Sequence, residues 1–291
     1  MAIDTWIDGS NNNIYAASAW TNGTPKPGDT PVFGAGIAFM GSGNLNAATL
    51  VLSGISATSQ PTLIACGQSQ ISVLVSQEEY LHPGMGNAAW GTVDVEGAPQ
   101  VLMKVLGGKG TNEVGTVNID SSSQMRGGFI ETGDNASVVI NGTSTSTFAN
   151  ASSAVGSNDA AQINAAVVGV GTFQVSFLSS LHLNAGVSSG QTIEDQGYVS
   201  IADTRDFHGR IDWSPQPAGN NVINLANLTA DSSTYQNGVL SLFAGGHDVF
   251  DLRLHLTGGS SLTTTQTSGG VQVYASMAQA DATHTLLLTH V

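Results

Sequence analysis

The chain has 291 residues, 41% hydrophobic and only 10% charged, where an ordinary soluble domain carries about 25% charged residues. Seven Lys and Arg stand against 21 Asp and Glu, for a formal charge of −14. No cluster of cations is available to displace counterions from phosphate, so neither nucleic acid nor an anionic membrane surface is expected as a partner.

Polarity comes from Ser, Thr, Asn and Gln, with 36 glycines punctuating the chain. Neutral polar side chains suit strands, where they form hydroxyl and amide ladders. In helix interiors they compete for backbone hydrogen bonds. The composition therefore predicts an all-β protein.

Residues 1–40 hold two of the four tryptophans and three of the eight prolines. They are expected to form a cap. Trp6 and Trp20 would cover the open end of a sheet, and Pro25 and Pro27 cannot donate ladder bonds, which suits an edge. Gly28-Asp29 fits a turn. The opening Met1–Trp6 has no basic region and no apolar run, so no cleavable signal is visible. The protein is cytoplasmic, or its sequence begins after a removed segment, or another signal exports it. The Lys-poor, nearly Cys-free composition favours the last two. No run approaches the ~18 apolar residues of a membrane span.

Residues 41–204 are repetitive. Runs such as Thr92-Val93-Asp94-Val95-Glu96, Thr116-Val117-Asn118-Ile119-Asp120 and Ser137-Val138-Val139-Ile140-Asn141 alternate apolar and polar, the mark of half-buried strands. Their starts lie 24 and 21 residues apart. That interval predicts a right-handed parallel β-helix, or solenoid, of roughly a dozen coils. The alternative is a β-sandwich, which needs a tight turn every 8–12 residues or so. Hairpin signals are scarce, with Asn22-Gly23, Asn141-Gly142 and Asn237-Gly238 the best. Cys66, alone in an apolar run, reads as packing. Short helices are expected over Gln77–Leu81 and Tyr274–Ala282.

Residues 205–291 are richer in aromatics and arginine and form a β-rich module continuous with the solenoid. The last segment, with Leu286, Leu287, Leu288 and Val291, is read as a core strand or an export and assembly element, paired in that role with Trp6 and Trp20.

Two segments resemble bacterial autotransporter-like or adhesin-like β-helical surface proteins. One is Thr5-Trp6-Ile7-Asp8-Gly9 with Ala19-Trp20-Thr21-Asn22-Gly23 and Pro27-Gly28-Asp29-Thr30. The other runs through Asp206-Phe207-His208-Gly209-Arg210-Ile211, Val222-Ile223-Asn224-Leu225 and Tyr235-Gln236-Asn237-Gly238-Val239-Leu240 to Val249-Phe250-Asp251-Leu252. The resemblance implies a secreted, cell-surface β-helix. This chain departs from it at Asn220-Asn221, where relatives carry Gly-Asp, so a calcium site there loses its acid.

Catalytic patterns are weak, and a non-enzyme is expected. Asp94/Glu96 share the outer side of a strand, and Glu194-Asp195-Gln196-Gly197 reads as a turn. The sharpest enzymatic idea is a polysaccharide lyase or hydrolase built on Asp203, Arg205, Asp206, His208 and Arg210. Alternation puts Asp206, His208 and Arg210 on one face, which a solvated salt-linked surface explains equally well. The seven histidines show no zinc spacing, and there is no nucleophile elbow or P-loop. No cofactor is expected. The one ion considered is calcium, at turns bearing Asp4, Asp8, Asp134, Asn135, Asn158, Asp159 or Asp231. The expected function is an extracellular structural or adhesive scaffold that self-associates head-to-tail. The rival is a polysaccharide-binding module using Trp90, Trp213 and Tyr235.

Overall fold

The computed structural model describes residues 3–7, 13–26, 29–33, 37–40, 43–44, 50–52, 62–66, 69–75, 90–96, 101–106, 114–119, 124–131, 137–142, 146–215, 222–257 and 261–276. They are almost wholly β. The one helical element among them is a single 3-10 turn, Ala17–Ala19.

Two sheets of sixteen and eleven strands run the length of the molecule. Successive coils feed both sheets, and neighbouring strands before the C-terminal hairpins are parallel, with the register shifting only along Gln124–Glu131 among the described residues. In the second sheet Val93 lies beside Val117 and Val117 beside Ile140, so the alternating runs seen in the sequence stack directly. The stack then continues through Ile163, Leu183, Ile201 and Leu225. Those positions give coils of 23, 20, 18 and 24 residues. This is a parallel β-helix. Among the described residues, antiparallel ladders between strands, which a sandwich would need throughout, occur only from Val222 onward.

Alternation along each strand builds the core. Ile140, Ile163, Leu183, Ile201 and Leu225 are fully buried and form one column of the second sheet. The first sheet answers with Phe173, Ile193, Ile211 and Leu254, stacked in the same manner. Each such side chain contributes roughly 1.5–3 kcal/mol by leaving water. A short third face closes the coils: Phe148, Val167, Val187 and Phe207 sit beside one another in Thr147–Asn150, Ala166–Val168 and two single-residue bridges.

Polar ladders run along the same stack. The Asn164 amide donates to Asn141 Oδ1 at 2.8 Å, and the Asn184 amide to Asn164 Oδ1 at 2.7 Å. Inside the corner between the third face and the first sheet, buried Asn150 donates to Gln191 Oε1 at 2.8 Å and accepts the Ser153 hydroxyl at 2.6 Å. Gly171 sits against this corner. A Cβ there would lie 2.2 Å from the Asn150 carbonyl oxygen, so the close approach requires glycine.

The first rungs already lie within residues 1–40, since Ile3–Thr5 pairs with Thr30–Phe33 and that strand with Leu50–Leu52. Arg210–Trp213 and Val222–Ala226 carry the stack past residue 204. The chain then changes mode. His247–Leu256 adds one more parallel rung to the first sheet, and Val239–Ala244 and Ser232–Gln236 follow it antiparallel. In the second sheet Gly270–Ser276 pairs antiparallel with Val222–Ala226, and Ser261–Thr267 pairs antiparallel with Gly270–Ser276.

Of the expected hairpin turns, Asn237-Gly238 is one, with φ of +51° and +77°. Asn141-Gly142 is instead the end of a strand. The helix expected from Tyr274 is contradicted as far as Ser276, because Val271 and Val273 alternate into the core and draw that segment into a strand. Gln77–Leu81 lies outside the described residues.

Candidate functional site

The N-terminal edge is closed by the chain itself. Trp6 and Trp20 form an antiparallel bridge, and the Thr21 N–H donates to the Thr5 carbonyl at 3.0 Å. The rings of Trp6 and Trp20 meet edge to face at 5.2 Å, and Phe33 packs on Trp6 at 5.3 Å. The Trp20 indole N–H donates to the Ile14 carbonyl. Asp4, 1% exposed, accepts the Thr21 hydroxyl and the Asn22 N–H, so it ties the cap down and is not turned toward a solvent ion. The Asp29 carboxylate accepts the Lys26 N–H at 2.9 Å, and Gly28 of the expected turn lies outside the described residues.

Other expected site residues scatter. Trp213 is fully buried, stacked between Asp195 and Leu256 in the first sheet. Its ring has no face free for a sugar, and the reading of Trp213 as a glycan contact is corrected. The cause is plain alternation, since Ile211 and Trp213 share the inner side of one strand. Tyr235 is 38% exposed, with its hydroxyl donating to the Leu254 carbonyl. Trp90 falls in the strand Trp90–Glu96 of the second sheet. Leu286, Leu287, Leu288 and Val291 lie outside the described residues, as do Asp8, Asp134 and Asn135.

Asp206, His208 and Arg210 are exposed on one side, and Phe207, Gly209 and Ile211 are buried on the other, as alternation requires. The structure does not gather the acids and arginines of this stretch around a cleft. Asp203 accepts the Asp206 N–H within a turn, and Arg210 reaches along its own strand to Asp212 at 2.8 Å. Asp231 serves a turn as well: it accepts the Gly245 N–H and the Ser232 hydroxyl, and these bonds hold its carboxyl below the usual range. Among the described residues no three His, Cys, Asp or Glu side chains converge on a metal position.

A groove of about 460 Å³ lies on the outer face of the first sheet. Its first column is Gln174, Glu194, Asp212 and His255, one residue from each of four successive rungs in register. Ser176, Gln196, Ser214 and Thr257, each two residues further along, form the second. Adjacent rungs sit about 4.8 Å apart. The Gln174 amide donates to Glu194 at 3.3 Å. Arg210 holds Asp212 Oδ2, while Asp212 Oδ1 accepts no hydrogen bond and lies 3.9 Å from His255 Nδ1. Arg253 is engaged with the carbonyls of His208 and Ser189.

Asp195, between Glu194 and Gln196, also lines the groove and is 1% exposed. Asp195 Oδ1 accepts the Gly197 N–H, and Oδ2 has no partner. Burial disfavours its charged form and pushes its carboxyl up to about 7, against the opposing pull of the Gly197 hydrogen bond. Sequence reasoning missed this site because its members lie 20, 18 and 43 residues apart and no fixed period joins them. Of the turn expected over Glu194-Asp195-Gln196-Gly197, Gln196-Gly197 is a bend, whereas Glu194 and Asp195 end the strand Gly190–Asp195, where Ile193 and Asp195 alternate with Glu194 and Thr192.

No family model, no curated protein and no solved structure matched the chain.

Proposed function

We propose that the protein is an extracellular structural or adhesive subunit, a surface or matrix scaffold. The observation that carries this reading is the parallel stack, along which the amides of successive coils form a ladder through Asn141, Asn164 and Asn184. Such a rod gains stiffness from ladders along its axis and presents a long polar surface. Export and surface location rest on the Lys-poor, Cys-poor composition and on the resemblance to adhesin-like β-helical proteins. Fold alone does not specify the role.

Self-association head-to-tail is part of the proposal, and the edges constrain it. The first sheet's N-terminal edge is taken by Trp20 and Thr21. In the second sheet, Ile37–Met40 ends the stack at one end and Ser261–Thr267 at the other. The latter carries no charge and no proline, the devices by which proteins ordinarily keep edges from pairing. A contact between unlike ends is heterologous and extends into an open filament. Negative-stain micrographs of concentrated protein should show filaments, and Thr265→Lys on the edge strand should shorten or abolish them. Monomers at every concentration would remove assembly from the account.

A further inference from the structure

We infer that the groove on the outer face of the first sheet is a saccharide-binding site. It takes a stretch of polysaccharide without anionic groups, laid along the stack axis. This deepens the adhesive reading by giving it a ligand class and a location.

The groove is a hollow in a regular surface, built by four consecutive rungs of one sheet. Its lining is carboxylate, carboxamide, imidazole and hydroxyl, the groups that exchange hydrogen bonds with sugar hydroxyls. Rungs recur about every 4.8 Å, close to the advance of one sugar along an extended chain, so each sugar can face the polar side chains of one rung.

The site has unused capacity. Arg210 fixes Asp212 through Oδ2, leaving Oδ1 buried in the wall with no donor. A sugar hydroxyl is a donor of the right size, and supplying one to a fixed carboxylate removes a desolvated, unsatisfied acceptor.

Charge selects the class. Glu194 and Asp212 stand on adjacent rungs, and the nearby arginines are already committed to Asp212 and to backbone carbonyls. Uronate carboxylates or sulfates would meet like charge, whereas neutral hydroxyls or protonated amino groups would not.

The test is calorimetric titration of the full chain with cellohexaose, a chitosan hexamer and hexagalacturonate. Cellohexaose or the chitosan hexamer should bind and hexagalacturonate should not. The isosteric pair Glu194→Gln with Asp212→Asn should weaken binding about tenfold or more. His255→Gln, at a side chain 70% exposed and therefore safe for folding, should weaken it severalfold. Gln162→Ala, on the second sheet, should leave it unchanged.

Binding of neither cellohexaose nor the chitosan hexamer would overturn the assignment. So would a preference for hexagalacturonate, or unchanged affinity in both the double variant and His255→Gln. The scaffold reading is judged separately, by assembly in micrographs.

Discussion

Two regions of this molecule hold their strands by different means. From residue 137 to 213 every coil rests on its neighbours, and the burial pattern alternates strand after strand because inward columns such as Ile140 to Leu225 leave room for nothing else. From 227 to 276 the strands form two antiparallel sets, each joined to the stack through one member, His247–Leu256 or Gly270–Ser276. There Asn237-Gly238 and Gly245-Gly246 take the positive φ values that a two-residue hairpin needs. Val239–Ala244 and His247–Leu256 still bury Leu240, Leu242, Leu252 and Leu254. The outermost strand, Ser232–Gln236, is exposed along most of its length, and Ser233 meets Thr264 of the other hairpin at 2.8 Å. The contrast teaches that long-range packing sets the conformation of the stack, whereas turn chemistry sets that of its end.

The strongest way to break the comparison is to damage each region at an aromatic residue. Trp213→Ala, in the stack, should cost about 3–5 kcal/mol in stability. Tyr235→Ala, in the terminal hairpin, should cost about 1 kcal/mol, the order of its hydrogen bond to Leu254. Equal losses in chemical denaturation would mean that the end is packed like the middle.

A second change sharpens the account within the stack. Asp195 keeps its proton in the fold up to about pH 7 but loses it near 3.8 when unfolded. Stability is therefore fully present below about pH 4, declines as pH rises, and levels off once pH passes the folded value. A displacement from 3.8 to about 7 corresponds to roughly 4 kcal/mol at alkaline pH. Asp195→Asn should remove this slope, raising stability at pH 8 by a few kcal/mol or less and changing little at pH 4. A pH-independent difference between the two proteins would contradict the buried-carboxyl account.

Much of the fold could be read from the sequence because period-two alternation survives in strands such as Trp90–Glu96, Val114–Ile119 and His247–Leu256. Thr92-Val93-Asp94-Val95, Thr116-Val117-Asn118-Ile119 and Val138-Val139-Ile140 are neighbours in space as their similarity implies. The third face could not be read, because Val187 and Phe207 contribute one bridging residue each and leave no pattern. The tight turn at Gly245-Gly246 was also passed over, although two adjacent glycines after an alternating run are a hairpin signal.

At the candidate site, Trp213 was misjudged because aromatic identity was weighed above its place two residues from Ile211. The groove itself was illegible for a physical reason. Its lining is defined by which strand lies beside which, and coil lengths that vary from 18 to 24 residues, with a hairpin inserted before His255, hide that register from the sequence.

In-register parallel stacking carries the whole account, and cysteine pairing across the second sheet tests it most directly. In a Cys66→Ser background, Gln162→Cys with His182→Cys places thiols on adjacent rungs, within the Cα separation of about 4.4–6.8 Å that a disulfide accepts. Gln162→Cys with Ser200→Cys places them two rungs apart, roughly twice the spacing. Rapid oxidation of the first pair and none of the second is the expected result. Equal oxidation of both pairs, or failure of the first, would contradict the stack.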